Sequence, residues 1–240
     1  MSDSDTPNID ENKFIPRRPV RGPGIIRYKE LIDATEALLS VNPPETVGIY
    51  QIAEFAKAPI ASAYHFFPTK DAAFLALMER YVINFIEISA MPVDLIDIED
   101  WQSLITLELK RASEFYISHP AAMKIFYGGY SSEALLMSDR EFQLSISHAL
   151  KSRLETVFHM PEIDNIEIIL HSCIVMMDAI WSLSHHLHKT ITEYFFQESC
   201  KALLTYLELY IPKKVEFRDE VMQAKKNNER LMLPPYGPIE

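Results

Sequence analysis

Residues 52–71 read Ile52-Ala53-Glu54-Phe55-Ala56-Lys57-Ala58-Pro59-Ile60-Ala61-Ser62-Ala63-Tyr64-His65-Phe66-Phe67-Pro68-Thr69-Lys70-Asp71. Periodicity divides this stretch into helix, turn and helix. Ile49, Ile52, Ala53 and Ala56 form one apolar stripe, with Gln51 and Glu54 outside it, so a short helix starts at Thr46 or Gly48 and ends at the Lys57-Ala58 turn. Pro59 has no amide hydrogen to lose in a first helical turn, so a second short helix runs from it through Tyr64-His65-Phe66 until Pro68 stops it. Thr69 then caps a longer helix from Lys70 to about Ala90, with Phe74, Leu77, Met78, Tyr81, Phe85 and Ile88 as its apolar face. Upstream, Tyr28, Leu31, Ile32, Thr35, Leu38 and Leu39 mark another helix from Ile25, ended by Asn42-Pro43-Pro44. Short helices joined by a three-to-four-residue turn make a helix-turn-helix unit.

The remainder of the 240-residue chain is expected to be helical too. It has six glycines, and residues 69–91, 93–119, 130–160 and 162–211 contain neither Gly nor Pro. Helices are placed near 99–118, 120–128, 132–158, 162–188 and 192–211, with Pro120 and Pro161 in first turns and Thr192 as a cap. The Gly128-Gly129 pair marks a loop between central helices. The fold class is therefore all-α. Glycine-dependent nucleotide loops are excluded: neither G-x-G-x-x-G nor G-x-x-x-x-G-K-[ST] occurs.

Net charge is −11, unevenly spread. Residues 1–12 hold four acids and no bases, and residues 13–70 hold eight bases against five acids. An N-terminal quarter that is locally positive on an acidic body remains compatible with DNA, because screening limits what DNA senses to about 10 Å. The two cysteines, Cys173 and Cys200, fall inside helical patterns, so a reducing, cytoplasmic setting is expected. The most apolar run, Ile168 to Leu183, carries His171 and Asp178 and is too short for a membrane span. No G-x-S-x-G, H-E-x-x-H or Cys/His cluster is present, so neither an enzyme nor a metal or other cofactor is expected.

The 52–71 stretch resembles the DNA-binding region of TetR-type transcriptional regulators. Ile52-Ala53 and Ala56, Tyr64-His65, Phe67 and Lys70 stand where that family has its I-A-x-x-A helix, its Y-x-H/x-F ending and its Lys opening the next helix. Lys57 occupies a turn position usually held by Gly, where a left-handed backbone costs about a kcal/mol. In a helix-turn-helix the second helix enters the major groove. Pro59, Ile60, Ala61, Ser62 and His65 are thus the candidate base-reading residues. Thr46, Tyr50, Tyr64 and Lys70 are candidates for phosphates. Ile60 and Ala61 can make only apolar contacts, which thymine methyls satisfy. The arm residues Arg17, Arg18 and Arg21 could enter the minor groove.

The resemblance implies a two-part layout. A flexible basic and polar arm (1–23) precedes a three-helix helix-turn-helix domain (24–70), with a linking helix at 70–90. A larger helical effector-binding and dimerisation domain (71–212) and a tail (213–240) follow. In the tail Phe217, Val221, Met222 and Leu231 support one weak helix before a loose Pro234-Pro235-Tyr236-Gly237-Pro238 end. The implied partners are double-stranded DNA with a palindromic operator, a second copy docked through the 162–188 and 192–211 helices, and a small, largely apolar effector, with no membrane. Candidate effector contacts are Trp101, Phe126, Tyr127, Phe142, His148, His171, Asp178 and Trp181. His171, Asp178 and His185 are seven apart, on one stripe, and too far apart for one metal to join all three. The alternative is an all-α ligand-binding or interaction module that does not read DNA; a gel shift separates the two.

Overall fold

Helix α1 (Gly22–Val41) begins three residues before the apolar pattern does, because Pro23 fits the first turn where no amide donor is needed. The computed structural model describes residues 14–130 and 132–237; residues 1–12 and Pro238, named above, lie outside that range. Of the arm expected to be flexible, residues 14–21 are described. Pro16 is buried, the Arg17 amide donates to the Phe66 carbonyl at 2.8 Å, and Arg18 pairs with Glu79 at 2.7 Å. Residues 16–18 therefore lie along the helix-turn-helix unit, held by one backbone bond and one ion pair.

A 3₁₀ turn (Pro44–Thr46) leads to α2 (Ile49–Phe55), which Gly48 precedes. Lys57 has φ of +49°, so the turn does adopt the left-handed backbone its position demands. α3 (Ile60–Phe66) starts one residue later than expected: Pro59 is extended and flanks the helix, and its carbonyl accepts from the Ser62 and Ala63 amides. In α4 (Lys70–Ser89) the Thr69 hydroxyl accepts from the Ala72 amide, as the cap predicted. Arg80 and Tyr81 tie α4 to α1. Arg80 bonds both Asp33 and Glu36, and the Tyr81 hydroxyl donates to Glu36 at 2.7 Å.

The body is built from α5 (Trp101–Ser118), α6 (Pro120–Tyr127), α7 (Glu133–Val157), α8 (Ile166–His188) and α9 (Glu193–Leu207). Asp100 and Ser103 cap α5 reciprocally, and Thr192 accepts from the Phe195 amide at the start of α9. Gly129, with φ of +77°, breaks the chain between α6 and α7. Pro161 does not open a helix: residues 158–165 are irregular, left-handed Asn165 precedes α8, and left-handed Lys189 ends it. α8 packs against α7 and α9 and α6 packs against α8, while α1 packs against α6. Both cysteines are buried and free, and burial raises Cys173 to about 12 and Cys200 to about 11. Among the described residues α8 is the one helix long and apolar enough to cross a membrane; a third of it is buried, and Ile168, Val175, Leu183 and Leu187 stay exposed.

The tail is not loose. It forms α10 (Asp219–Lys226), then a short β2 (Arg230–Leu231) antiparallel to β1 (Val93–Asp94). Arg230 grips Asp94 through two bonds, Trp101 Nε1 donates to the Pro212 carbonyl at 2.9 Å, and Tyr236 is buried. Apart from these two-residue strands the fold is all-α.

Candidate nucleic-acid interface and internal cavity

The head is held by side chains that face inward. Ala63 and Phe66 on α3, with Phe67 just after it, join Ile49, Ile52 and Ala53 on α2 in the core. Their burial leaves the opposite side of α3 in solvent: Ile60 is 40% and Tyr64 52% exposed, with Ala61 and His65 exposed beside them and Ser62 half-buried. Tyr50 at the start of α2 is also exposed. Thr46 is exposed with its hydroxyl donating to the Pro43 carbonyl at 2.8 Å. Lys70, expected at a phosphate, is half-buried. Its ammonium lies 3.4 Å from the Pro44 carbonyl and 4.7 Å over the Tyr130 ring, because α4 begins against the α6–α7 loop. Arg21 and Pro59 are exposed.

A second feature lies in the body. A cavity of about 370 Å³ is lined by α4, α5, α6, α7, α8, α9 and the tail. Its depth is apolar, with Phe85, Ile105, Leu109, Leu203 and Leu207 on the wall. Polar groups from three helices meet at Asp178. Asp178 of α8 accepts from the Tyr127 hydroxyl at 2.9 Å and from Gln143 Nε2 at 2.8 Å. The same Gln143 nitrogen donates to Asp139 at 2.9 Å. Burial, and then the neighbouring Asp139 charge, pushes Asp178 up to about 7. Burial pushes Asp139 up to about 6, against the opposing pull of Arg140. Tyr116 and Tyr127 are raised well above the usual phenol range, first by burial and then by Asp178.

Four of the eight expected effector contacts line this cavity: Phe126, Tyr127, Phe142 and Asp178. The other four do not. Trp101 is fully buried against the tail through its bond to Pro212. Trp181 donates to the Ser199 hydroxyl at 3.1 Å and packs edge-on behind Tyr116 and Tyr127. His148 is half-exposed on the outside of α7, 3.6 Å from Glu167. His171 borders a separate outer groove between α7 and α8. His185 is buried and its pKa is lowered, by burial first and then by Lys189 and Lys124. Among the described residues no group of three or more His, Cys, Asp or Glu is placed to hold a metal ion.

One cluster was not anticipated. Arg153 of α7, fully buried, pairs with Glu108 at 2.7 Å and donates to the Ser89 and Pro234 carbonyls at 2.7 and 2.8 Å. The Tyr236 hydroxyl donates to Glu108 at 2.6 Å, and its ring stacks on Phe85 and beneath the Arg153 guanidinium. Glu108 and Tyr236 both face the cavity. The signal was present in part: Glu108 follows Leu104 and Ile105 on one helical stripe, and Arg153 follows Phe142, Ile146 and Ala149. A charge on an apolar stripe requires a buried partner.

α6 joins head and cavity. Lys124 caps the end of α1, its ammonium donating to the Ser40 and Asn42 carbonyls at 3.0 and 3.1 Å. One turn further along α6, Phe126 and Tyr127 face the cavity, and Ser182 donates to the Tyr127 carbonyl at 3.3 Å.

No protein-family model and no curated protein matches the sequence. Solved structures do. A tetR-family transcriptional regulator from Streptomyces coelicolor superposes with a TM-score of 0.56 at 19% identity, covering 85% of this chain and 88% of that one. The fatty acid degradation regulator FadR from Bacillus halodurans gives 0.59 at 13% identity over 78% and 97%. SmeT, solved as a complex with triclosan, gives 0.53 at 14% identity over 82% and 94%. At these identities the likeness is one of fold, and it spans the head and the body together.

Proposed function

We propose that this chain, with the fold seen in TetR-family regulators, is a DNA-binding transcriptional regulator, a homodimeric repressor that a small molecule releases from a palindromic operator. The observation that carries this reading is the exposed outer side of α3. Ile60, Ala61, Tyr64 and His65 face solvent although Ala63, Phe66 and Phe67 already complete the core, so packing alone does not account for them. In the groove, Ile60 and Ala61 would meet thymine methyls, and Tyr50 and Tyr64 would meet phosphates. Arg21 is exposed and available to the minor groove, whereas Arg18 would first leave Glu79.

Two recognition helices need two copies. The exposed Ile168, Val175, Leu183 and Leu187 of α8, with Tyr194 of α9, supply an apolar face suited to a second copy. The cavity would hold the effector. A ligand that competes for Asp178 would displace the Tyr127 hydroxyl, shift α6, and pull the end of α1 through Lys124. Only a ligand that prefers one head spacing over the other can change operator affinity this way. The test is a gel shift with DNA from upstream of the chain's own reading frame. A retarded band that Tyr64→Ala abolishes supports the proposal. No band at low salt favours the alternative, a ligand-binding module without DNA readout.

A further inference from the structure

We infer that the cavity is built for an amphiphilic organic cation, its charged head between Asp139 and Asp178 and its apolar tail running inward to Phe85 and Leu109. The inference rests on the reading of this cavity as the effector site and adds the chemical class of the occupant.

The position of the acids is the first reason. Asp139, Gln143 and Asp178 line both the cavity and the shallower outer groove between α7 and α8. The polar end is therefore at a gate, and the apolar wall lies behind it. An amphiphile entering tail first leaves its head at that gate.

Charge is the second. No Lys or Arg lines the cavity among the described residues. Arg153 lies behind the wall and is paired with Glu108, and Arg140 borders the outer groove beside Asp139, one exposed cation against two carboxylates. Gln143 is neutral, so its bonds to the two carboxylates compensate neither charge. An anionic head would meet two carboxylates that only the exposed Arg140 offsets. A cation replaces the missing counter-charge, and the Phe126, Tyr127 and Phe142 rings on the same wall offer it π faces.

The third is an unmet acceptor. Glu108 is more than nine-tenths buried and lines the cavity, yet its Oε1 has no hydrogen-bond partner, the ion pair with Arg153 and the hydrogen bond from Tyr236 both falling on Oε2. Buried acceptors in folded proteins are nearly always satisfied. A ligand with a donor at its far end, such as a hydroxyl or second amine, would satisfy this one.

The experiment is calorimetric titration of the full chain at pH 8 with three probes of equal tail length: decyltrimethylammonium, 1-decanol and decanoate, all below micellar concentration. Decyltrimethylammonium is expected to bind at least tenfold more tightly than either other probe. Asp139→Asn and Asp178→Asn should each weaken it about tenfold and leave 1-decanol unchanged, which also shows that the variants remain folded. Equal or tighter binding of decanoate overturns the inference, as does cation binding that both substitutions leave intact, or no binding by any probe. No DNA is present, so a win for decanoate leaves the operator reading standing. Absence of the operator shift with cation preference retained refutes the regulator and keeps the cation.

Discussion

The Tyr127 hydroxyl donates to Asp178 Oδ1 at 2.9 Å, joining α6, which caps α1, to α8, whose outer face exposes Ile168, Val175, Leu183 and Leu187. Head, cavity and candidate dimer face thus meet at one hydrogen bond. Its acceptor is a carboxylate that burial holds near a pKa of about 7.

That pKa has a sign in stability. An unfolded Asp titrates near about 3.9, so the folded chain binds the proton more tightly. The stability this confers is complete at acid pH and is lost as pH rises toward 7. Asp178→Asn cannot lose it. Between pH 5 and 8 the wild type should therefore weaken relative to the variant by a few kcal/mol at most, because each tenfold gain in proton affinity is worth about 1.4 kcal/mol. Urea midpoints at both pH values measure the gap, and a gap that does not change rejects the assignment.

Tyr64→Ala should lower operator affinity at least tenfold while shifting unfolding by no more than about 0.5 kcal/mol, since the side chain is half in solvent. Retained affinity would remove α3 from the groove.

Arg153→Met leaves the Glu108 carboxylate buried without its ion pair and should cost about 3–5 kcal/mol. Pairing it with Glu108→Leu should recover much of that loss. If the double variant is no more stable than the single, the ion pair is not what the cluster depends on. Tyr236→Phe, which removes one hydrogen bond to a buried carboxylate, should cost about 1.5–3 kcal/mol.

Lys57 holds a left-handed backbone without being glycine. Lys57→Gly relieves that strain and loosens the unfolded chain, so the net gain is expected to be at most about 1 kcal/mol. A lower melting temperature would show that the lysine side chain contributes an interaction of its own.

Leu183 and Leu187 are more than half exposed on α8. Replacing both with Glu should convert a dimer to a monomer in sedimentation velocity while the helical circular dichroism persists. An unchanged dimer would place the interface elsewhere.

The helix-turn-helix was legible because its residues act locally. Thr69 caps its own helix, Pro68 ends its neighbour, and apolar spacing chooses the inward face. The left-handed turn at Lys57 was legible only through the resemblance, which puts a Gly at that position. The cavity was half legible. Phe126, Tyr127, Phe142 and Asp178 stand out as rings or a charge on apolar helices, but Trp101 and Trp181 look the same and are taken up by Pro212 and Ser199. Helical spacing says that a side chain points inward and not whether it meets a void or a neighbour. The tail was read least well. Tyr236 sits among prolines with no period, and its partners Glu108 and Arg153 are 128 and 83 positions away.

The docking of that tail also orders events in time. A chain emerging from the ribosome can complete α1 to α4, with Arg80 on Asp33 and Glu36, long before Tyr236 is made. The cavity cannot close until Pro234 reaches Arg153 and Tyr236 reaches Glu108. During synthesis the molecule therefore gains the exposed face of α3 first and the complete lining of its cavity last, and a nascent chain passes through a stage in which it has the first and lacks the second.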